Sequence, residues 1–158
     1  MKKSLKIVIA DDNKSLAKFM KEFIEEKSDF NIYKTLSSSE EQLEVMQKEN
    51  IDIIISDLMR KGESISGLDI LLQAEKDWRK EKFILITASP KEEIMYKNNY
   101  VMPSNVIAYL KKPFEWNCLI EEIENAVKLI KVENIEKVYL SSEIWSNLYL
   151  KNGPLFQT

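Results

Sequence analysis

Two adjacent acids, Asp11 and Asp12, a third acid, Asp57, a hydroxyl, Thr87, and an ammonium, Lys112, are the side chains of this sequence best suited to a shared chemistry. Each stands inside or just past a short apolar run, respectively LKIVIA, IDIIIS, FILITAS and IAYLK. Carboxylates drawn close together repel one another unless a cation lies between them or one of them takes up a proton. A hard cation such as Mg²⁺ is the usual partner of such oxygen ligands. Brought into one pocket, these groups make a candidate site for a metal ion and a phosphoryl group. Taken singly, each acid suits a helix cap or a solvated loop, and Thr87 suits a strand end; their joint placement carries the reading.

Residues so far apart in sequence meet only if the chain brings the ends of those runs together. An open parallel sheet does this, because ligands collect at the carboxyl ends of its strands. Leu5–Ala10 reads as a strand, and Asn13 can cap a helix on which Leu16, Phe19, Met20, Phe23 and Ile24 keep helical spacing. Phe30–Thr35 is a weaker strand, and Ser37–Ser39 precede a helix carrying Leu43 and Met46 as far as Asn50. Asp52–Ser56 reads as a strand buried on both faces, because its isoleucines run on without alternation. A loop with Gly62 and Gly67 leads to a helix bearing Leu68, Leu71, Leu72 and Trp78, and Phe83–Thr87 is the next strand.

Ser89-Pro90-Lys91-Glu92 offers an N-cap, a proline at the first helical position and a capping-box glutamate, so a helix is expected from there to about Asn98. Val106–Leu110 is the last strand, and after Pro113 a long helix displays Leu119, Ile123, Val127 and Ile130. Five strand-helix units in succession predict an α/β fold, a doubly wound five-stranded parallel sheet, with right-handed crossovers.

Length and composition narrow the function classes. At 158 residues and 18.5 kDa the chain suits one domain with a sizeable core. The net charge is −3 with Lys and Glu interspersed, so no basic stripe points to nucleic acid. Cys118 is the lone cysteine, which excludes an internal disulfide and reads as a small buried hydrophobe on a helix. The start, MKKSLKIVIADD, has an apolar stretch too short and too soon closed by acids for a signal peptide. No apolar run approaches membrane-spanning length, so a cytoplasmic location is the expectation. Trp78, Trp116 and Trp145 read as packing residues.

The paired acids Asp11 and Asp12, the strand-terminal Asp57, the pair Thr87-Ala88, and Lys112-Pro113-Phe114 with Tyr109 upstream resemble the receiver domain of two-component response regulators. The resemblance covers roughly Leu5 to Lys131, and implies a flavodoxin-like fold, with a receiver domain over 4–131 and a C-terminal extension over 132–158. It further implies that Asp57 is the phosphoacceptor, that Asp12 and Asp57 bind Mg²⁺ directly, and that Asp11 binds it through water. The backbone carbonyl of Met59 completes the protein ligands in that scheme. Lys112 pairs with one phosphoryl oxygen and Thr87 with another, while Lys111 points away. Thr87 and Tyr109 form the switch, the ring at Tyr109 turning inward to reshape the face made by the fourth helix, last strand and last helix. The implied partners are a histidine kinase or histidine phosphotransfer protein, since the chain has no histidine, and a downstream protein target.

Departures from the family pattern stand beside these matches. The loop from Leu58 to Ser66 is longer than usual and lacks the common proline, and its Arg60 and Lys61 read as solvated, or as residues that alter phosphodonor access or phosphate lifetime. Met102-Pro103 replaces the usual Gly-Ala before the last strand, and Met59 and Ser89 occupy places that tune dephosphorylation in the family. Past Lys131, Ser141 or Ser142 can cap a short helix with an apolar stripe of Ile144, Trp145, Leu148 and Tyr149, ended by Gly153-Pro154. That stripe either packs back on the domain or docks a second subunit or a partner.

Two other function classes remain. One is a phosphorylation-independent interaction module on the same fold, which the complete set of acids, Thr87 and Lys112 disfavours. The other is an aspartate-nucleophile phosphohydrolase. Enzymes that resemble the haloacid dehalogenase family place a second Asp two positions after the nucleophile as general acid, whereas Leu58 and Met59 follow Asp57 here.

Overall fold

Strands β1 (Ile7–Ala10) and β3 (Ile53–Ser56) are buried along their whole length, as continuous apolar runs covered on both faces must be. They lie side by side at the centre of a five-stranded sheet of order β2-β1-β3-β4-β5, with β2 at Ile32–Leu36, β4 at Lys82–Thr87 and β5 at Val106–Lys111. Every neighbouring pair is parallel. The intervening helices are α1 (Lys14–Lys27), α2 (Ser39–Lys48), α3 (Gly67–Lys76) and α4 (Lys91–Lys97), and α5 (Trp116–Asn152) closes the series. The computed structural model of the protein describes residues 4–152, and the chain divides into two units, Met1–Ile123 and Glu124–Thr158.

In the first unit the sheet separates two apolar layers. Val8, Ala10, Ile54, Phe83 and Leu85 join Met46, Leu68, Leu71 and Ile94 in one buried cluster. Strand alternation turns Ile7, Ile9, Ile53, Ile55, Ile84 and Ile86, all essentially inaccessible, to the opposite face. The edge strands differ as edges do: β2 is buried only at its two ends, and β5 is half-buried. Asn13 caps α1 by accepting from the Leu16 amide, Ser38 caps α2, and Ser66 with Asp69 forms a reciprocal capping box on α3.

Four expectations require correction. The helix bearing Leu68 stops at Lys76, and Trp78 lies beyond it, 92% exposed with φ at +54°. The Arg79 amide reaches back to the Ala74 carbonyl at 3.0 Å, so Trp78 occupies the left-handed position of a helix-ending motif that usually takes glycine. Ser89 does not cap α4: Pro90 is the N-cap residue and makes no side-chain cap bond. The backbone of Ser89 is engaged elsewhere, its amide by the Thr87 hydroxyl and its carbonyl by the Tyr109 hydroxyl. Ser141 and Ser142 are interior residues of α5, because no glycine or proline interrupts Trp116–Asn152. Cys118 is half-buried rather than buried.

Trp116 packs as expected, against Phe19 and Phe114 at ring-centroid distances of 4.8 and 5.0 Å. In the second unit the helical residues Val132, Ile135, Val138, Tyr139 and Leu140 are exposed. The stripe expected from Ile144, Trp145, Leu148 and Tyr149, and the stop at Gly153-Pro154, lie outside the residues whose side chains are described. No helix among the described residues is long and apolar enough to cross a membrane.

Candidate functional site

The order of the strands decides what meets. Asp11 follows β1 and Asp57 follows β3, and the register sets Ala10 beside Ser56, so the two acids leave adjacent strands at the same level. The Asp57 amide donates to the Ala10 carbonyl at 2.9 Å and the Asp11 amide to the Leu36 carbonyl at 3.0 Å, which extends the ladder under both. Asp11, Asp12 and Asp57 each bring a carboxylate oxygen within 4.8 Å of the others. Asp11 and Asp57 are buried and Asp12 is half-buried. From the other side, Lys112 follows β5, its amide held by the Thr87 carbonyl at 2.9 Å. Its ammonium lies 3.2 Å from Asp57 Oδ2 and 3.4 Å from Asp11 Oδ2.

Burial drives the Asp11 carboxyl above its usual pKa, an effect that the Asn13 amide and the Lys112 ammonium oppose and that Asp57 reinforces. Three carboxylates facing one ammonium leave an excess of negative charge in a partly buried place. That donor set, all oxygen and partly open at Asp12, suits a hard divalent cation. Thr87 is fully buried, and its hydroxyl accepts from the Ser89 amide at 3.1 Å. The Met59 amide donates to Asp57 Oδ1 at 3.3 Å, while its side chain is exposed. Tyr109 is half-buried, with its hydroxyl on the Ser89 carbonyl and the Lys91 ammonium 5.2 Å from its ring centre. Burial raises its pKa, with a smaller push from Glu92. Lys111 is exposed, as expected.

The sequence profile described as "Response regulator receiver domain" matches residues 7–124. The chain belongs to this family. Receiver domains are signalling domains, and membership implies phosphorylation-dependent signalling and Mg²⁺ binding at the acidic cluster of Asp11, Asp12 and Asp57. A relative from Haemophilus influenzae, "Nitrate/nitrite response regulator protein homolog", is 27% identical over 78% of this chain and 57% of its own length. The chain thus spans less than two thirds of that relative. A solved receiver domain from Clostridium thermocellum is 27% identical, covers 81% of this chain and 98% of that one, and superposes with a TM-score of 0.65. The CheY-like receiver protein of Methanospirillum hungatei, 21% identical over 83% of this chain and 99% of its own, has a TM-score of 0.68 and speaks for the fold alone.

This receiver domain differs from expectation most in its β3-α3 loop. Arg60 is not solvated: it is buried, and donates to Ser39, Gln42, Ser56 and the Asp57 carbonyl. Lys61 is exposed, but its amide donates to Asp12 Oδ2 at 3.0 Å. Glu63 accepts from the amide and approaches the hydroxyl of Ser39, each at 2.9 Å, and so closes the loop onto α2. The signal that points to Arg60 is faint: a lone guanidinium soon after a strand-terminal acid, with Ser39 and Gln42 remote in sequence.

Proposed function

We propose that the protein is a phosphorylation-dependent switch of a two-component system, in the cytoplasm, with residues 4–131 as its receiver domain and 132–158 as an extension. The observation that carries this reading is the convergence of Asp57, Asp11, Asp12 and Lys112 at the carboxyl ends of β1, β3 and β5. A carboxylate oxygen of Asp57 attacks the phosphorus of a partner's phosphohistidine; the new P–O bond forms as the P–N bond breaks, and the imidazole leaves with the electron pair. Asp12 and Asp57 would hold Mg²⁺ in this reading, with the Met59 carbonyl, and Asp11 would assist through water. The bound cation supplies charge neutralisation between two anionic reactants.

Lys112, already paired with Asp57, is the group that can shift to a phosphoryl oxygen as a point charge. Thr87, accepting from the Ser89 amide, has its own hydroxyl hydrogen to offer a second oxygen. Pulling Thr87 inward moves Ser89, and Ser89 in turn holds Tyr109. The face around α4 and β5 therefore changes, and a partner selective for that packing reads the signal.

Intact-mass analysis after incubation with Mg²⁺ and acetyl phosphate tests the reading. The expected outcome is one phosphoryl adduct, lost in Asp57→Asn and in excess EDTA. No adduct from acetyl phosphate or from a phosphohistidine donor favours a phosphorylation-independent interaction module instead.

A further inference from the structure

Arg60 is a buried charge that the phosphotransfer just described leaves unused. It stands three residues after Asp57 and is only 7% exposed. Toward β3 its guanidinium donates to the Ser56 hydroxyl at 3.2 Å and to the Asp57 main-chain carbonyl at 3.3 Å. Toward α2 it donates to the Ser39 hydroxyl at 3.1 Å and to the Gln42 side-chain oxygen. These four acceptors are neutral, and Glu63, Asp57, Asp11 and Asp12 offset the charge at longer range. A guanidinium withdrawn from water at that cost is held by geometry on two elements at once.

The peptides on either side of Arg60 face the carboxylate cluster. The Met59 amide donates to Asp57 and the Lys61 amide to Asp12. Ser39, which accepts from Arg60, also donates its amide to Glu63, farther along the same loop. Gly67 closes that loop so tightly that an added Cβ lies 3.2 Å from the guanidinium and 2.3 Å from the Asp57 carbonyl. We infer that Arg60 is a positioning residue of the phosphoacceptor site: anchored between the end of β3 and the first turns of α2, it holds the Met59 and Lys61 peptides against Asp57 and Asp12 in a loop too long to fix them unaided. The inference rests on the reading of Asp57 as the phosphoacceptor.

Arg60→Met keeps the bulk and removes the charge and its fork; Arg60→Lys keeps the charge alone. Three quantities are compared with the wild type well below the unfolding temperature: amide exchange at Lys61 by NMR, calorimetric affinity for Mg²⁺ alone, and the rate of adduct formation with acetyl phosphate. In Arg60→Met, Lys61 exchange rises, and Mg²⁺ affinity and adduct rate each fall, by about tenfold or more, the span found when groups that orient metal ligands are removed. Arg60→Lys recovers part of each change. Should Arg60→Met fail to fold, Arg60→Lys is read by itself, with smaller losses in the same direction. Wild-type values of all three in a folded variant, whatever its stability, overturn the inference. A wild-type protein that binds no Mg²⁺ and takes no phosphoryl group overturns the reading of Asp57 itself, and the role of Arg60 with it.

Discussion

Lys112 sets the balance of charge where the acids meet. Its ammonium lies within 3.4 Å of both Asp11 and Asp57, and it is about a quarter exposed, so screening is incomplete. Replacing it by methionine leaves three carboxylates within 4.8 Å with no direct counter-charge from β5. We expect Lys112→Met to lose about 1–2 kcal/mol in metal-free buffer, below the cost of stripping a fully buried pair. MgCl₂ then raises its unfolding temperature by more than it raises that of the wild type, because the cation takes over the neutralisation. Thermal unfolding of both proteins in EDTA and in MgCl₂ checks this, and equal increments would count against it. The gathering of Asp11, Asp12, Asp57 and Lys112 was legible because each follows an apolar run that could only be a strand. Arg60 was not, since its burial depends on Ser39 and Gln42 offering oxygens from another element.

At the scale of elements, close approach between the start of α3 and the end of β3 fixes the backbone at Asp57. The Gly67 amide donates to the Leu58 carbonyl at 3.0 Å, and a Cβ at Gly67 would stand 2.3 Å from the Asp57 carbonyl, a backbone atom that cannot swing aside. Gly67→Ala should therefore cost about 1–3 kcal/mol, the range for overpacking a tight contact, in urea unfolding. It should also slow adduct formation at Asp57, whereas alanine at Gly62, where the surroundings are open, carries only the strain of its positive φ. The strands and the cap at Asn13 were readable from apolar runs and a cap residue. Ends set by tertiary bonds were not: Ser89 resembles a cap in sequence, yet Thr87 and Tyr109 claim its backbone. Likewise α5 runs past Ser141 and Ser142, because a serine starts a helix only where something else has stopped the preceding one.

Over the whole molecule, charge and softness are unevenly spread. Glu49, at the end of α2, accepts from Lys34 of β2 at 2.8 Å and from Lys6 at 3.4 Å. Hydrogen bonds from Lys34 and Tyr33 hold its carboxyl down at about 2, against an ordinary 4.5. A depressed acid stabilises the fold above its unfolded pKa and loses that contribution as pH falls toward the folded value. Glu49→Gln should thus unfold at lower temperature than wild type at neutral pH, the gap closing between pH 4.5 and 2. At the other edge of the sheet, α4 is a seven-residue helix with Ile94 its one buried residue, so it is the least anchored of the helices packed against the sheet. In the proposed switch the signal passes from Asp57 to α4 by way of Thr87, Ser89 and Tyr109; Ser89 bonds to both Thr87 and Tyr109, and the Tyr109 hydroxyl is the last polar link. Tyr109→Phe keeps the ring that packs on the core and removes only that link. The adduct on Asp57 should then form at a rate within about twofold of wild type, since the phenol lies outside the carboxylate cluster and a single surface-side hydrogen bond is worth about 1 kcal/mol. Amide shifts of α4 on phosphorylation should shrink toward zero in the same variant. Full wild-type shifts in Tyr109→Phe would mean that α4 answers to Asp57 by packing alone, through Ile94 and the strands beneath it.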